Sequence, residues 1–555
     1  MNETERPRRA WLVAHLVLLA AATVVLVLAN RGQWFFGDEW EFLVNRGLVG
    51  ARYGAFYPHN EHWSTLPILV YTALRNTVGL ASYWPYIGVL LAIHLALTHL
   101  LWRVMLRAGV LPAVATAAAA VFSVLGAGSE NLLWAFQIGF VGAVAFGWAA
   151  ALVVATPERR PGRRDLWAVA LLLGALMSSG VGVPMVAVAA VTVWITGRAL
   201  LRLLVVGGVP AVVFVGWYVT VGRTPDTSGA PSHSLGSVAS IVLDGLDHVT
   251  TAVAGVPKVI ATVLLLGGGV LCAWSAVRVV RGEAASRRLA LPLAGVVGIV
   301  VFAVMVAFGR GDLGSSRYVY VLVALGLPVV AVGLTTLSRW RWVQVAVVLV
   351  VIAVGAQNVQ QLWARAQYER ARESWTRDVI ESAARMITQG DHLVGAQPEP
   401  VYDPDITVKA LRLFVVRNKL PTNATSDRGE LGARLWLQVA VINPGTASTS
   451  TPATVTKREG VEPVSGTTSC LALAAGATTG AVVATTDGHL RSLWLRSQDG
   501  NSAGYEVQVG SGLSAPPVRV VAVPAGKEKE LLTSLPAGQL TIRPTTPGSV
   551  VCTSP

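Results

Sequence analysis

Long apolar runs alternate with short polar stretches over most of the chain, and short alternating runs replace them near the end. Apolar runs stand near 11–30, 84–102, 110–127, 133–155, 165–179, 181–197, 203–222, 252–277, 289–308, 318–337 and 342–358. A helix needs roughly 20 apolar residues to cross about 30 Å of hydrocarbon. The pattern therefore predicts an α-helical polytopic membrane protein with about 11 transmembrane helices. The fifth and sixth runs are short enough to be one broken hairpin. The first is preceded by Arg6, Arg8 and Arg9 and ends at Asn30–Arg31, a poor cleavage site, and reads as a retained helix.

Outside these runs the pattern changes. The loop 31–83 carries amphipathic stretches at Trp40–Leu48 and Leu66–Val78, which predict helices lying along the membrane surface. The loop 223–250 is rich in Ser, Thr, Gly and Pro, with a short helix expected near Ser237–His248. Asn358–Gln389 reads as a polar helix leaving the membrane, and 391–445 is mixed, with apolar clusters at 408–416 and 432–442. The stretch 446–466 reads as a linker or long loop. Short runs then occur at Gly480–Thr486, Arg491–Arg496, Tyr505–Val509, Val518–Val523, Glu530–Leu535, Gln539–Arg543 and Ser549–Cys552. Their spacing predicts a small antiparallel β-sandwich. The expected organisation is a transmembrane domain over 1–358, a connecting helix and mixed α/β region over 359–462, and a β-sandwich-like domain over 463–555.

Composition agrees with this layout. The chain is 53% hydrophobic and 14% charged, with mean hydropathy +0.55. Soluble domains carry about 25% charged residues, so an ordinary soluble enzyme and a disordered protein are both excluded. The net charge of +13 would suit nucleic acid, but most of it sits in short loops between apolar runs, so no nucleic-acid partner is expected. Basic residues mark the cytoplasmic side of a membrane protein. Alternate loops carry Arg103/Arg107, Arg159/Arg160/Arg163/Arg164, Arg198/Arg202, Arg278/Arg281/Arg287/Arg288 and Arg339/Arg341. That alternation puts the N-terminus in the cytoplasm and everything after 358 on the extracytoplasmic side of the cell membrane. Cys470 and Cys552 bracket the β-rich segment in an oxidising compartment, and a disulfide between them is expected. Cys272 lies within the eighth run and reads as a small packing residue.

Acidic residues are scarce before 358, so their positions carry information. Gly37-Asp38-Glu39-Trp40-Glu41 follows the first run, and Tyr57-Pro58-His59-Asn60-Glu61-His62-Trp63 lies in the same loop. Ser129-Glu130-Asn131 occupies the next outer loop, and Arg310-Gly311-Asp312 leads to Ser316-Arg317-Tyr318. All four groups face one side in the topology above. Carboxylates suit a general base or a divalent cation, and arginine suits a phosphate. Such a set at a membrane surface fits transfer of a group from a lipid phosphate.

This arrangement resembles the GT-C superfamily of polytopic glycosyltransferases of actinobacterial cell-envelope type, which use polyprenyl-phosphate-linked sugars. The resemblance rests on Gly37-Asp38-Glu39 after the first span, a long first outer loop, Glu130 in the next, Arg317-Tyr318 opening a late span, and an extracytoplasmic C-terminal domain. It implies transfer of a hexosyl or pentosyl group to a glycan, lipid or protein acceptor of the cell envelope. It makes Asp38 the base, Glu39 its neighbour or alternative, and Glu130 a second acid. Arg317 and Arg310, with Tyr318, would hold the donor phosphate. His59, Glu61 and His62 are substrate contacts on chemical grounds alone. A divalent cation (Mg, Mn or Ca) on Asp38 and Glu130 stays open, because the family's Asp-Asp or Asp-x-Asp is Asp-Glu here. The alternatives are a non-catalytic envelope scaffold and a lipid or sugar flippase; the latter predicts mid-membrane polar residues and repeated halves, and no repeat is visible.

Overall fold

The computed structural model describes residues 5–46, 53–223, 235–255, 257–259, 277, 284–337, 341–417, 419–422, 426–444, 450–467, 469–474, 476–498, 501–510, 516–536 and 538–554. It divides into two compact units. One comprises Met1–Gln33, Tyr53–Leu74 and Tyr83–Arg370, and the other Trp34–Arg52, Arg75–Ser82 and Ala371–Pro555.

The first unit is a bundle of apolar helices, and the protein is a multi-pass helical membrane protein with a β-rich C-terminal region. Among the described residues six helices are long and apolar enough to cross a membrane: Arg9–Ala29, Trp84–Arg107, Ala135–Val154, Leu200–Gly222, Arg287–Arg310 and Ser316–Leu337. The sequence pattern predicts eleven. Pro112–Ser123, Arg163–Leu176 and Gly182–Gly197 are helices, yet they have only 12, 14 and 16 residues. At 1.5 Å per residue they reach about 18–24 Å, short of a full hydrocarbon crossing. The run 252–277, with Cys272, falls mostly outside the described residues. The last run, 342–358, opens a continuous helix, Arg341–Gln389, that also contains the polar segment expected to follow it.

Small residues let these helices approach closely, as they do where lipid gives no hydrophobic drive between helices. A Cβ at Gly295 would sit 2.4 Å from the Leu325 carbonyl oxygen, so only glycine fits where Ala290–Arg310 meets Ser316–Leu337. One buried ion pair ties three apolar segments together. The Arg202 guanidinium donates to both Asp165 oxygens at 2.9–3.2 Å and to the carbonyls of Thr156 and Glu158. Both side chains are fully buried, and Asp165 also accepts from the Gly162 amide at the start of its own helix.

In the second unit the C-terminal part is a sandwich of two sheets. The strands are β1 Val439–Ile442, β2 Thr451–Pro452, β3 Thr454–Glu459, β4 Val461–Pro463, β5 Cys470–Leu473, β6 Ala481–Thr486, β7 Arg491–Ser497, β8 Ala503–Val509, β9 Val518–Val523, β10 Glu528–Thr533, β11 Gly538–Pro544 and β12 Ser549–Cys552. One sheet has the order β1-β10-β7-β12-β5-β4, with β2 added beside β7, and the other β3-β6-β11-β8-β9. Inward residues such as Val482, Leu493, Leu495, Tyr505, Val507, Leu540 and Ile542 form its core. The seven predicted runs coincide with β6 to β12 within a residue or two. The segment read as a linker instead supplies β2, β3 and β4, and β1 comes from 439–442, so the sheets begin before 463. Its Thr and Val residues are good strand formers, and the composition that reads as a loop belongs to exposed strands. The helices Val408–Val416 and Asp427–Leu437 precede the sheets, capped by the Thr407 and Ser426 side chains.

Cys470 and Cys552 are joined by a disulfide across the paired strands β5 and β12. It closes a loop with a sequence separation of 82 residues. Replacing both cysteines by serine is expected to destabilise the sandwich by about 2–5 kcal/mol. Denaturant unfolding followed by tryptophan fluorescence measures this, with the helical unit's thermal transition unchanged.

Candidate functional site

Within the helical unit, the loop 53–65 is anchored from several sides. The Trp63 and Trp217 rings stack at 5.0 Å, and the Trp217 indole donates to the Phe56 carbonyl at 2.9 Å. Thr65 accepts from the Trp63 indole and donates to the Ala55 carbonyl. From this base rises a tight hairpin. His59 and His62 exchange backbone hydrogen bonds at 3.0 and 2.8 Å, and the two residues between them, Asn60 and Glu61, have φ of 45° and 64°. Two successive left-handed residues define the type I′ turn. Asn tolerates that region, whereas Glu there is strained by an amount of order 1–3 kcal/mol. An ion pair opposes the strain: Glu61 Oε2 accepts from Arg310 Nη2 at 2.7 Å, and Arg310 also reaches the Asn60 carbonyl at 3.5 Å.

His59 and His62 are held by packing as well. His59 lies edge-on to Phe136 and bonds the Asn60 side chain at 3.0 Å. His62 lies edge-on to Phe140, and its Nδ1 accepts from the Gly180 amide at 3.3 Å. That hydrogen bond makes Nδ1 an acceptor and leaves any proton on Nε2. Burial, followed by the nearby Arg310, His59 and Arg317 charges, pushes the His62 pKa down to about 3. The imidazole is therefore neutral at physiological pH, in a strongly positive setting.

Arg317 and Glu130 join the same end of the bundle through Ser316. The Ser316 hydroxyl accepts from the Glu130 amide at 3.1 Å and lies 3.4 Å from the Ser129 hydroxyl. Arg317 follows in the first turn of Ser316–Leu337. Its guanidinium sits 5.3 Å from the Tyr318 ring centroid, and its buried Nε has no hydrogen-bond partner. Tyr318 is packed against Phe302 and Phe140. His59, Glu61, His62, Glu130, Arg310, Arg317 and Tyr318 thus belong to one unit; the ion pair to Arg310 ties in the hairpin, and the Ser316 hydroxyl ties in Glu130.

Asp38 and Glu39 belong to the second unit, in a loop whose amides are taken by carboxylates. Glu373 accepts from the Trp34 amide at 2.7 Å, Glu39 from the Phe36 amide at 2.9 Å, and Asp403 from the Gly37 amide at 2.6 Å. Gly37 has φ of 58°, which glycine adopts without strain. The Arg372 guanidinium lies 3.5 Å from the Phe36 ring centroid, a close cation–π contact. Asn45 donates to Asp405 at 3.1 Å, and Arg75 to the Leu43 carbonyl at 2.9 Å. Glu39 is fully buried and Asp38 half-buried.

Glu373, Asp403 and Arg372 are absent from the sequence reading. They lie far along the chain, and the only local signal is the acidic run Tyr402-Asp403-Pro404-Asp405. Asp403 is fully buried, and its Oδ2 has no hydrogen-bond partner among the described residues. Burial holds its carboxyl well above the usual range; the Gly37 amide opposes this, Glu399 and Glu39 reinforce it, and Arg372 opposes it.

Several other polar and aromatic side chains are structural. His94 bonds the Tyr320 hydroxyl at 2.7 Å and the Ser123 carbonyl at 3.1 Å inside the bundle. Trp494 packs beside the disulfide, and the Tyr505 hydroxyl bonds the Val550 backbone at 2.8–2.9 Å, so both belong to the sandwich interior. Among the described residues no three His, Cys, Asp or Glu side chains are grouped to hold a metal ion.

No family model matches the sequence, and no curated protein matches it either. Solved structures do match by shape. ArnT from Cupriavidus metallidurans bound to undecaprenyl phosphate is similar, with 16% identity and a TM-score of 0.44, over 78% of this chain and 93% of that one. The oligosaccharyltransferase of Archaeoglobus fulgidus, in complex with Zn and sulfate, has 12% identity and a TM-score of 0.38, over 62% of this chain and 53% of that one. The same archaeal protein tethered to an acceptor peptide containing the NVT sequon has 11% identity and a TM-score of 0.38, over 67% and 57%. The chain spans about half the length of the archaeal protein.

Two predictions follow from this geometry. A Cβ at Gly180 would sit 2.7 Å from His62 Nδ1, so Gly180→Ala is expected to displace the imidazole and cost about 1–3 kcal/mol, read as a lowered thermal transition. For Asp403, the folded pKa lies above the unfolded one. Above the ordinary Asp pKa of 3.8, the unfolded chain releases a proton that the folded chain retains, so stability falls as pH rises. Asp403→Asn is expected to remove that slope, measured by tryptophan fluorescence during denaturant unfolding across this pH range.

Proposed function

We propose that the protein is a membrane glycosyltransferase of GT-C type that moves a sugar from a polyprenyl-phosphate-linked donor to a cell-envelope acceptor on the extracytoplasmic face. The observation that supports this most is the convergence of Arg310, Arg317, His59 and His62 at one end of the helical bundle. Burial, with the nearby Arg310, His59 and Arg317 charges, keeps His62 neutral. A set of guanidiniums and imidazoles beside apolar helices is suited to a phosphate carried on a lipid tail, because arginine binds phosphate oxygens in a planar fork.

In this reading the donor phosphate is neutralised by Arg317 and Arg310 as it leaves. Arg310 would have to exchange its bond to Glu61 for the phosphate. Neutral His62 offers an uncharged contact to phosphate or sugar oxygens, and His59 lies beside it in the hairpin. Tyr318 orders Arg317 from within the core, and Glu130 orients the acceptor. Asp38 removes the acceptor's hydroxyl proton, with Glu39 fixing the loop that carries it. The sugar's bond to phosphate breaks as the acceptor oxygen attacks from the opposite face, with inversion at the anomeric carbon. The arginine alternation assigns the N-terminus to the cytoplasm and the β-sandwich to the outer side.

The test uses membranes containing the full-length chain and radiolabelled polyprenyl-phospho-sugars. Asp38→Asn is expected to lower transfer about 10²- to 10⁴-fold, and Arg317→Ala by about 10²-fold or more. Full transfer by Asp38→Asn removes that residue from the mechanism. Absence of transfer from every donor by the unaltered chain favours the scaffold reading.

A further inference from the structure

At the opposite ends of the same helices lies a cavity of about 220 Å³. Four chain segments close it. Arg107 is the last residue of Trp84–Arg107, Ala155 and Pro157 follow the end of Ile138–Val154, and Thr196 lies in the last turn of Gly182–Gly197. Arg287 and Arg288 sit in the short turn that leads into Ala290–Arg310. Three guanidiniums therefore line one space, and among the described residues no carboxylate does.

The neighbouring acids are already committed. Asp165 pairs with Arg202 at 2.9 Å, and Glu158 with Arg164 at 3.0 Å. Arg107 spends one donor on the Ala155 carbonyl. Arg287 and Arg288 are exposed. Among the described residues, then, the cavity's lining is positively charged and carries no acid. Its remaining lining is small and apolar, with Ala155, Pro157, Ala290 and Leu291. That lining suits the glycerol and first methylenes of a lipid better than a fully hydrated ion. Along the chain, Trp194, Leu200 and Leu201 are 45%, 61% and 59% exposed, as residues facing acyl chains are. A tryptophan at this level is typical of the boundary between hydrocarbon and headgroups.

We propose that this cavity binds the phosphodiester headgroup of an anionic membrane lipid. Arg287 and Arg288 grip the phosphate oxygens, Arg107 forms the back of the site, and the acyl chains run along the apolar helices. Basic pockets between transmembrane helices recognise anionic headgroups in this way. The proposal is independent of the activity suggested above, because it concerns the other end of the bundle and involves none of the same residues.

The experiment titrates full-length protein in neutral detergent with fluorescently labelled phosphatidylglycerol, and in parallel with phosphatidylcholine carrying the same label. Saturable binding of phosphatidylglycerol, much tighter than that of phosphatidylcholine, is expected. Each arginine contributes about fivefold in affinity, so Arg287→Gln with Arg288→Gln should weaken binding about 25-fold. Arg159→Gln with Arg160→Gln makes the same charge change in the adjoining loop, outside the cavity lining, and should leave affinity unchanged. All four side chains are exposed, and an unchanged thermal transition confirms that each variant is folded. Equal loss in both double variants overturns the proposal in favour of general surface attraction. Equal binding of the two lipids overturns it as well. Displacement of the lipid by millimolar inorganic phosphate reassigns the cavity to a free anion.

Discussion

Hydrocarbon does not tolerate uncompensated charge, and that constraint arranges everything else in the helical unit. In the six long apolar helices the ionised residues lie within a turn or two of an end, as Arg103, Arg107, Arg202, Arg287, Arg288, Arg310 and Arg317 do. A charge at the bilayer centre would cost about 2.5–3.5 kcal/mol on insertion scales. Where one must enter the protein interior it is paired, as Arg202 is with Asp165. His94 satisfies both ring nitrogens within the bundle. Chemistry is therefore confined to the two rims, and residues distant in sequence are forced into company there.

The two acid-bearing loops solve opposite problems. The hairpin at His59–His62 is held in a costly backbone conformation by an exchangeable contact, since Arg310 and Glu61 are both about 44% exposed on their side chains. The Asp38 loop is held by contacts that do not exchange readily, with three amides bound by carboxylates. One of those carboxylates, Asp403, is buried deeply enough to resist ionisation. A protonated acid still accepts a hydrogen bond from an amide, so the loop keeps its shape without burying a full negative charge beside Glu39 and Glu399. The hairpin thus leans on a solvent-accessible ion pair, whereas the Asp38 loop is fixed by buried contacts.

How much of this was legible depended on sequence distance. Apolar period and length mark most of the helices, and alternation marks β6 to β12, because both patterns are local. The strands at 451–463 escape notice because edge strands are exposed and look like loop. Helices of 12–16 residues resemble spans, because hydropathy reports burial as readily as membrane crossing. The acids of the helical unit stand out by their rarity before residue 358. Their partners do not. Nothing near Gly37 announces Asp403, and nothing near Glu61 announces Arg310, because such pairings exist only after folding.

The strand order of the larger sheet carries one further consequence. Its last strand, β12, does not lie at an edge; it sits between β7 and β5 and bears one half of the disulfide. The sheet therefore stays split until translation has passed residue 552. A nonsense mutation or frameshift only a few codons upstream of Ser549 would leave two unsealed strand edges and an orphan thiol at Cys470. Quality-control proteases read both as marks of a damaged chain. The four residues of β12 are a keystone of the sheet.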